Sequence, residues 1–275
     1  MAARTRKEEV SMVTNNKRQN PHSRRTHDET VTFGFQKVPA REKAKLVQTH
    51  FNCIARKYDF MNTLLSFGLH YRWKRIAVKM LGLKQGSRVI DVCGGTADLA
   101  ILAARHVGPE GEVIVYDFNR AMMRTGKSKA HKAQLDGRIN YVQGDAEQIA
   151  FQDQHFDAAM VGFGIRNLTH MEKGFAEMYR VLKPGGTVMC LEFSRPTNPL
   201  FRFLYDAYSF YLMPFIGWLF TGSHTAYTYL PESIRLFPLP DELSEILLQT
   251  GFSPVSYHKL TNGIAVVHLG IKKSI

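Results

Sequence analysis

Hydrophobic and polar positions alternate along the chain in two rhythms. From Glu42 to Phe51 the apolar residues Ala44, Val47 and Phe51 fall three or four apart, the spacing of one helix face. A second helical stretch runs from His70 to Leu81, with Gly82 as its stop. From residue 88 the rhythm shortens. Arg88–Val92, Glu112–Asp117, Ile139–Val142, Phe156–Val161 and Thr187–Phe193 are apolar runs of strand length. Asp98–Val107, Asn119–Lys132 and Met171–Leu182 read as helices, the last stopped by Pro184-Gly185-Gly186. Alternating strands and helices imply parallel β-α-β units with right-handed crossovers. Val255–Leu260 and Ile264–Ile271 break the alternation, because Asn262-Gly263 between them is a hairpin signal. The expected fold is α/β: a Rossmann-like, seven-stranded, mostly parallel sheet with an antiparallel C-terminal edge hairpin and helices on both faces.

Residues 1–30 are polar, basic and aperiodic, and are expected to form a disordered basic extension, leaving 31–275 as one domain. The excess of basic over acidic residues, +12, is compatible with an anionic ligand or membrane face; a basic tail on a soluble body explains it without nucleic acid. Three cysteines, Cys53, Cys93 and Cys190, lie far apart, with no CxxC and no Cys/His metal spacing. Neither a disulfide framework nor a metal site is expected, and the cytoplasm is the simplest compartment. Met1–Glu29 lacks the apolar segment of a secretory signal, and Glu8, Glu9, Asp28 and Glu29 argue against a mitochondrial leader despite Arg4, Arg6, Arg24 and Arg25.

Four strand ends carry chemistry. After the first comes Asp91-Val92-Cys93-Gly94-Gly95-Thr96-Ala97-Asp98, where Gly94, Gly95 and Thr96 let a ligand approach backbone N–H groups at a helix start. The dinucleotide pattern GxGxxG is absent, which disfavours an NAD-dependent oxidoreductase. Asp117 ends the second strand and is either the cap of the next helix or an acceptor for both hydroxyls of a ribose. The glycine turn one strand earlier favours ribose. Asp145 and Ala146 follow the third strand, where a side-chain acceptor and a main-chain N–H suit an adenine edge. Gly162 through Asn167 close the fourth, at the edge where open α/β sheets bind ligands.

The set DVCGGTADL, YDFN, QGDAE, GFGIRN and VLKPGG resembles a class I methyltransferase. Two longer stretches, Tyr58–Trp73 and Arg180–Ser194, resemble the signatures of the ubiquinone/menaquinone biosynthesis C-methyltransferases, the UbiE/MenG family, and the likeness runs from Thr32 to Lys272. It implies S-adenosyl-L-methionine as cofactor, held at Thr96, Asp117, Asp145, Ala146 and Gly162 beside the glycine turn. It also implies C-methylation of a polyprenyl quinol: demethylmenaquinol to menaquinol, or 2-methoxy-6-polyprenyl-1,4-benzoquinol on the ubiquinone path. The chain departs from the family pattern at Ala97, where Gly is usual, at Cys93 for Ala, at Asp145 for Asn and at Gly162 for Ser.

The expected mechanism needs a positioned quinol and stabilisation of a developing phenolate. Arg166 is the candidate catalytic residue, with a structural ion pair to Asp59 or Glu192 as its alternative. Asn167 and Tyr58 are expected to touch substrate, while His70 is set aside as a packing histidine and Asp98 as structural. Helices over 41–82 and an aromatic segment over 199–235 are expected to cover the substrate. Arg202, Asp206 and Pro214 argue against a membrane span there, leaving an ordinary helix pair or a lid with peripheral contact at the inner face of the plasma membrane. A homodimer, a quinone-synthesis complex, and a non-catalytic cofactor-binding scaffold of such a complex stay open.

Overall fold

The computed structural model describes residues 29–221 and 224–274. The described residues open with a hairpin, β1 (Thr30–Phe33) and β2 (Gln36–Pro39), that the sequence reading does not foresee. Thr30 is already paired with Pro39, so the extension ends earlier than residue 30; residues 1–28 of it lie outside the described residues. Three helices follow: α1 (Ala40–Ile54), α2 (Tyr58–Leu65) and α3 (Leu69–Met80). Gly82 sits at φ +64°, the left-handed conformation that stops a helix.

The main sheet is built from β3 (Arg88–Val92), β4 (Glu112–Asp117), β5 (Ile139–Gln143), β6 (Phe156–Gly162), β7 (Leu182–Phe193), β8 (Phe252–Leu260) and β9 (Ala265–Lys272), in the spatial order β5-β4-β3-β6-β7-β9-β8. The first five named are mutually parallel. The expected hairpin is present, but β9 inserts between β7 and β8 and pairs antiparallel with both. The antiparallel strand is therefore the inner one. Its joint with β8 is longer than Asn262-Gly263: Thr261–Ile264 close it, with Asn262 at φ +54°. Pro184-Gly185-Gly186 does not separate helix from strand. Leu182 pairs with Phe156 and Thr187 with Ala158, so residues 183–186 bulge within β7.

Helices cover both faces because alternate strand residues are apolar on both sides. Val89, Val113, Val115 and Met160 face α3, α4 (Asp98–Val107) and α5 (Arg120–Lys132). Ile90, Ile114, Tyr116 and Val161 face α6 (Met171–Val181) and α10 (Pro240–Thr250). Asn119 accepts the Met122 N–H at 3.0 Å and caps α5, a contact worth about 1 kcal/mol. The cap role weighed for Asp117 thus belongs to Asn119. The segment 199–236 is helical as expected: α7 (Pro199–Ala207), a π-turn over Tyr208–Leu212, α8 (Met213–Thr221) and α9 (His224–Leu236). Ile54, Met61, Leu65, Met213 and Tyr227 form a separate small core that joins these helices to α1 and α2 above the sheet.

Candidate active site

The order of strands reverses between β3 and β6, and open α/β sheets bind ligands at that point. Two loops meet there, Cys93–Ala97 and Phe163–Asn167. The first is tightly wound. Cys93, Gly95 and Ala97 all have φ between +50° and +63°. The family's usual glycine at position 97 has its reason here, since alanine in the left-handed region costs about 1–2 kcal/mol.

Three cavities share walls along the switch point. The first, about 80 Å³, is bounded by Asp91, Gly94, Gly95, Thr96, Asp117 and Gly162. The second, about 380 Å³, adds Asp145, Ala146 and α1, and shares Asp117, Phe118, Asn167 and Leu168 with the first. The third, also about 380 Å³, is lined mostly by rings and aliphatic chains from α1–α3 and from α7–α9. It shares Phe51, Tyr58, Lys74 and Phe163 with the first.

Asp117 is the centre of the first two. Its Oδ2 accepts the Gly95 N–H at 2.9 Å and its Oδ1 the Asn119 N–H at 2.7 Å. Burial lifts its carboxyl to about 6, against the pull of those two N–H groups. A carboxylate has about four acceptor positions, so two stay open towards the cavity. Asp91, which the sequence reading does not single out, lies beside it. Its Oδ2 accepts the Ala100 N–H at 3.1 Å, its Oδ1 has no partner among the described residues, and burial raises it to about 8. The only advance signal for Asp91 is its place at the head of the glycine turn. A carboxylate at a sheet end with acceptor positions to spare, an unpaired carboxyl oxygen and a glycine turn suit the sugar and amino-acid ends of S-adenosylmethionine.

The other candidates divide. Ala146 is buried in the second cavity, and Asp145 lines it while one oxygen accepts the Glu147 N–H at 2.9 Å. At Gly162 an added Cβ would stand 2.6 Å from Leu99 Cδ1, so packing against α4 is enough to require glycine there. Thr96 donates to Asp59 Oδ1 at 2.8 Å. That bond opens a charge cluster across four helices: Lys129 contacts Asp59 at 2.8 Å and also Asp98, and Asp98 binds Lys74 at 2.6 Å. Asp98 is partly buried, yet Lys74 and Lys129 outweigh that burial and hold its carboxyl down at about 2. The structural role expected for Asp98 is this one.

Arg166 occupies the wall of the apolar cavity, with its Nη1 bonded to Phe163 O at 2.6 Å and to Glu192 Oε2 at 2.8 Å. Both ion-pair partners are almost wholly buried. Of the two partners weighed from the sequence, Glu192 is the one used. Burial pushes Glu192 up and Arg166 pulls it back, while the carboxylate keeps the guanidinium protonated. None of these bonds uses Nη2, so the pair fixes the guanidinium in place without exhausting it. Tyr58 stands on the wall common to the first and third cavities. Asn167 does not reach the apolar cavity. It lines the two nucleoside-side cavities and accepts the Tyr229 hydroxyl at 2.9 Å. Tyr205, from the aromatic segment expected to cover the substrate, lines the apolar cavity, and so do Tyr229 and His50, which escaped the sequence reading because nothing in their local sequence separates them from core residues.

Comparison with known proteins identifies the family and the fold. The model of the ubiE/COQ5 methyltransferase family matches residues 40–272. The chain is 46% identical over 243 residues to the ubiquinone/menaquinone biosynthesis C-methyltransferase UbiE of Pseudomonas entomophila strain L48, covering 88% of this chain and 95% of that one. It is 45% identical over 251 residues to the protein of that name from Stutzerimonas stutzeri strain A1501, covering 90% and 98%. Among solved structures, a SAM-dependent methyltransferase from Aquifex aeolicus superposes with TM-score 0.51 at 18% identity, covering 72% of this chain and 88% of that one. The [4+2]-cyclase SpnF superposes with TM-score 0.58 at 17% identity, covering 74% and 82%. At such identities these structures show the fold alone.

Proposed function

The chain belongs to the ubiE/COQ5 methyltransferase family, and from that premise we propose that it methylates demethylmenaquinol to menaquinol. It is an S-adenosylmethionine-dependent C-methyltransferase of ubiquinone/menaquinone biosynthesis. The observation that carries the substrate reading is the apolar cavity of about 380 Å³ that meets the glycine-turn cavity at Tyr58 and has Arg166 in its wall. A naphthoquinol has one fused ring more than a benzoquinol, and Phe163, Phe193, Trp73 and Tyr205 offer it aromatic surface.

When bound, S-adenosylmethionine supplies an electrophilic methyl group. Asp117 would hold its sugar hydroxyls, Asp145 and the Ala146 N–H its base, and Asp91, Gly95 and Thr96 its amino-acid end. Gly162 contributes main chain only. On the other side, Arg166 stabilises the oxyanion left when a quinol hydroxyl passes its proton to solvent water, which enriches the adjacent ring carbon in electrons; once methylated, that carbon loses its own hydrogen to water as a proton and the ring regains aromaticity. Tyr58 borders both reactants. Asn167 positions Tyr229 from the nucleoside side and so acts one step away from the substrate.

The covering segment also supports contact with the membrane that stores a prenylated substrate. Phe203, Tyr211, Phe215 and Trp218 on 199–221 are exposed, as is Phe67 in the α2–α3 turn. No helix among the described residues is long and apolar enough to cross a membrane. Peripheral seating on the inner face of the plasma membrane fits both facts. Co-sedimentation with anionic vesicles tests it: Phe215→Ser with Trp218→Ser should reduce binding, and no binding by the native chain at low salt would refute it.

The substrate reading is tested by initial rates on demethylmenaquinol and the methoxy-benzoquinol side by side. A higher kcat/KM for demethylmenaquinol is expected. A preference for the benzoquinol would reassign the substrate, and cofactor binding without turnover of either would leave the scaffold reading.

A further inference from the structure

We propose that His70 is a substrate-contacting residue, its Nδ1 accepting a hydrogen bond from the quinol hydroxyl that does not face Arg166. The inference rests on the apolar cavity being the quinol site, and it assigns a role to a residue that sequence reasoning treats as packing.

The first observation is a hydrogen-bond count at Thr63. Its Oγ1 lies 2.8 Å from the Asp59 carbonyl oxygen, 3.0 Å from Tyr71 Oη and 3.3 Å from His70 Nε2. A carbonyl only accepts, so the single Thr63 proton goes to Asp59. The Tyr71 hydroxyl and the His70 Nε2–H then both donate to Thr63 Oγ1, and each of the three bonds has one donor and one acceptor. This arrangement selects the Nε2–H tautomer and leaves a lone pair on Nδ1.

The second observation is that this Nδ1 is buried and has no partner among the described residues, while His70 is one of the residues that bound the cavity. Unpaired buried acceptors are rare in folded proteins, and a ligand that donates is one explanation of such an atom. Burial, with Lys74 beside it, pushes the imidazole down to about 4 against the opposite pull of Asp98 and Asp59; Lys129 adds to the effect of Lys74. The ring is neutral at pH 7, so it accepts a hydrogen bond without removing the proton.

The third observation is that the cavity has two polar regions. Arg166 adds to the burial that pushes the His50 imidazole down and pulls against the burial that raises the Tyr229 hydroxyl. His70 instead senses the Lys74–Asp98–Lys129–Asp59 cluster. A para-quinol carries its hydroxyls on opposite sides of the ring. A cationic donor at one and a neutral acceptor at the other fix which carbon faces the shared wall at Tyr58.

Two amide substitutions separate contact from scaffolding. Asparagine places an acceptor near the position of Nδ1, whereas glutamine places a donor near that of Nε2 and keeps the bond to Thr63. His70→Gln should lower kcat/KM for the quinol by about tenfold, the worth of one neutral hydrogen bond, while His70→Asn stays within roughly threefold. S-adenosylmethionine affinity, measured by calorimetry, should stay unchanged in both. In the native protein, the Nδ1 resonance of ¹⁵N-histidine should move when quinol is added. Glutamine matching the native enzyme, the two variants behaving alike, or a stationary Nδ1 resonance would each overturn the proposal. Absence of turnover of either quinol by the native enzyme would instead defeat the underlying reading of the cavity.

Discussion

The nucleoside half and the quinol half of the site are built by different means. The nucleoside half consists of strand ends: a turn of glycines, one carboxylate at Asp117, and main-chain N–H groups held by a parallel sheet. The quinol half has no strand-end motif except Arg166 and is walled by side chains from α1, α2, α3, α7 and α9, which lie far apart in sequence. Polar specificity can be written in five consecutive residues, but an oily cavity is written only in how helices pack. The two halves are joined by Phe51, Tyr58, Lys74 and Phe163 and by the charge cluster that ties α2 and α3 to α4 and α5.

The comparison breaks first at that joint. Asp98→Asn leaves Lys74 without its partner in a buried position and should destabilise the protein by about 3–5 kcal/mol. Denaturant melts would show the loss, and both ligands should bind more weakly. The same pair gives an acid signature. Asp98 sits at about 2 in the folded protein, below its unfolded value, so its contribution is present above roughly pH 4 and is lost as pH falls towards 2. From the change in its carboxyl value this amounts to roughly 2 kcal/mol.

Within the quinol half, Arg166→Met should cut kcat by about 10²–10³ while S-adenosylmethionine affinity stays within twofold. An equal loss of cofactor affinity would mean that the halves are not separable. Within the nucleoside half, Asp117→Asn should weaken S-adenosylmethionine by about 10–100-fold, the range for hydrogen bonds to a charged group, and leave quinol KM little changed. Its pH dependence has a definite sign. Burial holds Asp117 near 6, so the free protein is largely protonated there below that pH, whereas the ligand's hydroxyls and positive charge favour the carboxylate. Affinity should fall as pH drops below about 6, and proton release on binding at pH 6, measured by calorimetry, should be smaller by about half a proton per site in the asparagine variant than in the native protein. The smallest effect is expected at Ala97→Gly. Relief of the left-handed alanine, about 1–2 kcal/mol, is offset by lost methyl burial and a more flexible unfolded chain, so stability should change by less than about 1 kcal/mol.

Legibility in the sequence followed the same division. Strand–helix alternation disclosed the sheet, and Asp117, Gly94 and Gly95 announced their cavity because a glycine turn and a strand-end carboxylate are local signals. The β1–β2 hairpin escaped because two four-residue strands give too few alternations to register. The inner place of β9 escaped because pairing order is a tertiary choice that a hairpin signal does not encode. Gly162 was read as a main-chain ligand contact and bounds the first cavity, and the neighbour that demands glycine there is Leu99, more than sixty positions away in the chain. Asn167 was read as touching substrate; it bounds the two nucleoside-side cavities and meets the apolar one through its bond to Tyr229. Asp91 and His70 were missed for a shared reason: the unpaired atom that marks each appears only once the surrounding bonds are counted.

The central claim is that Arg166 completes a site for attack by the reduced, ionising ring. The most direct measurement is incorporation of a ¹³C-methyl group from labelled S-adenosylmethionine into demethylmenaquinol kept reduced and, in parallel, into its oxidised quinone. Label on the ring carbon of the quinol, with none on the quinone, is the expected result. Label on oxygen, or equal incorporation into the quinone, would contradict it.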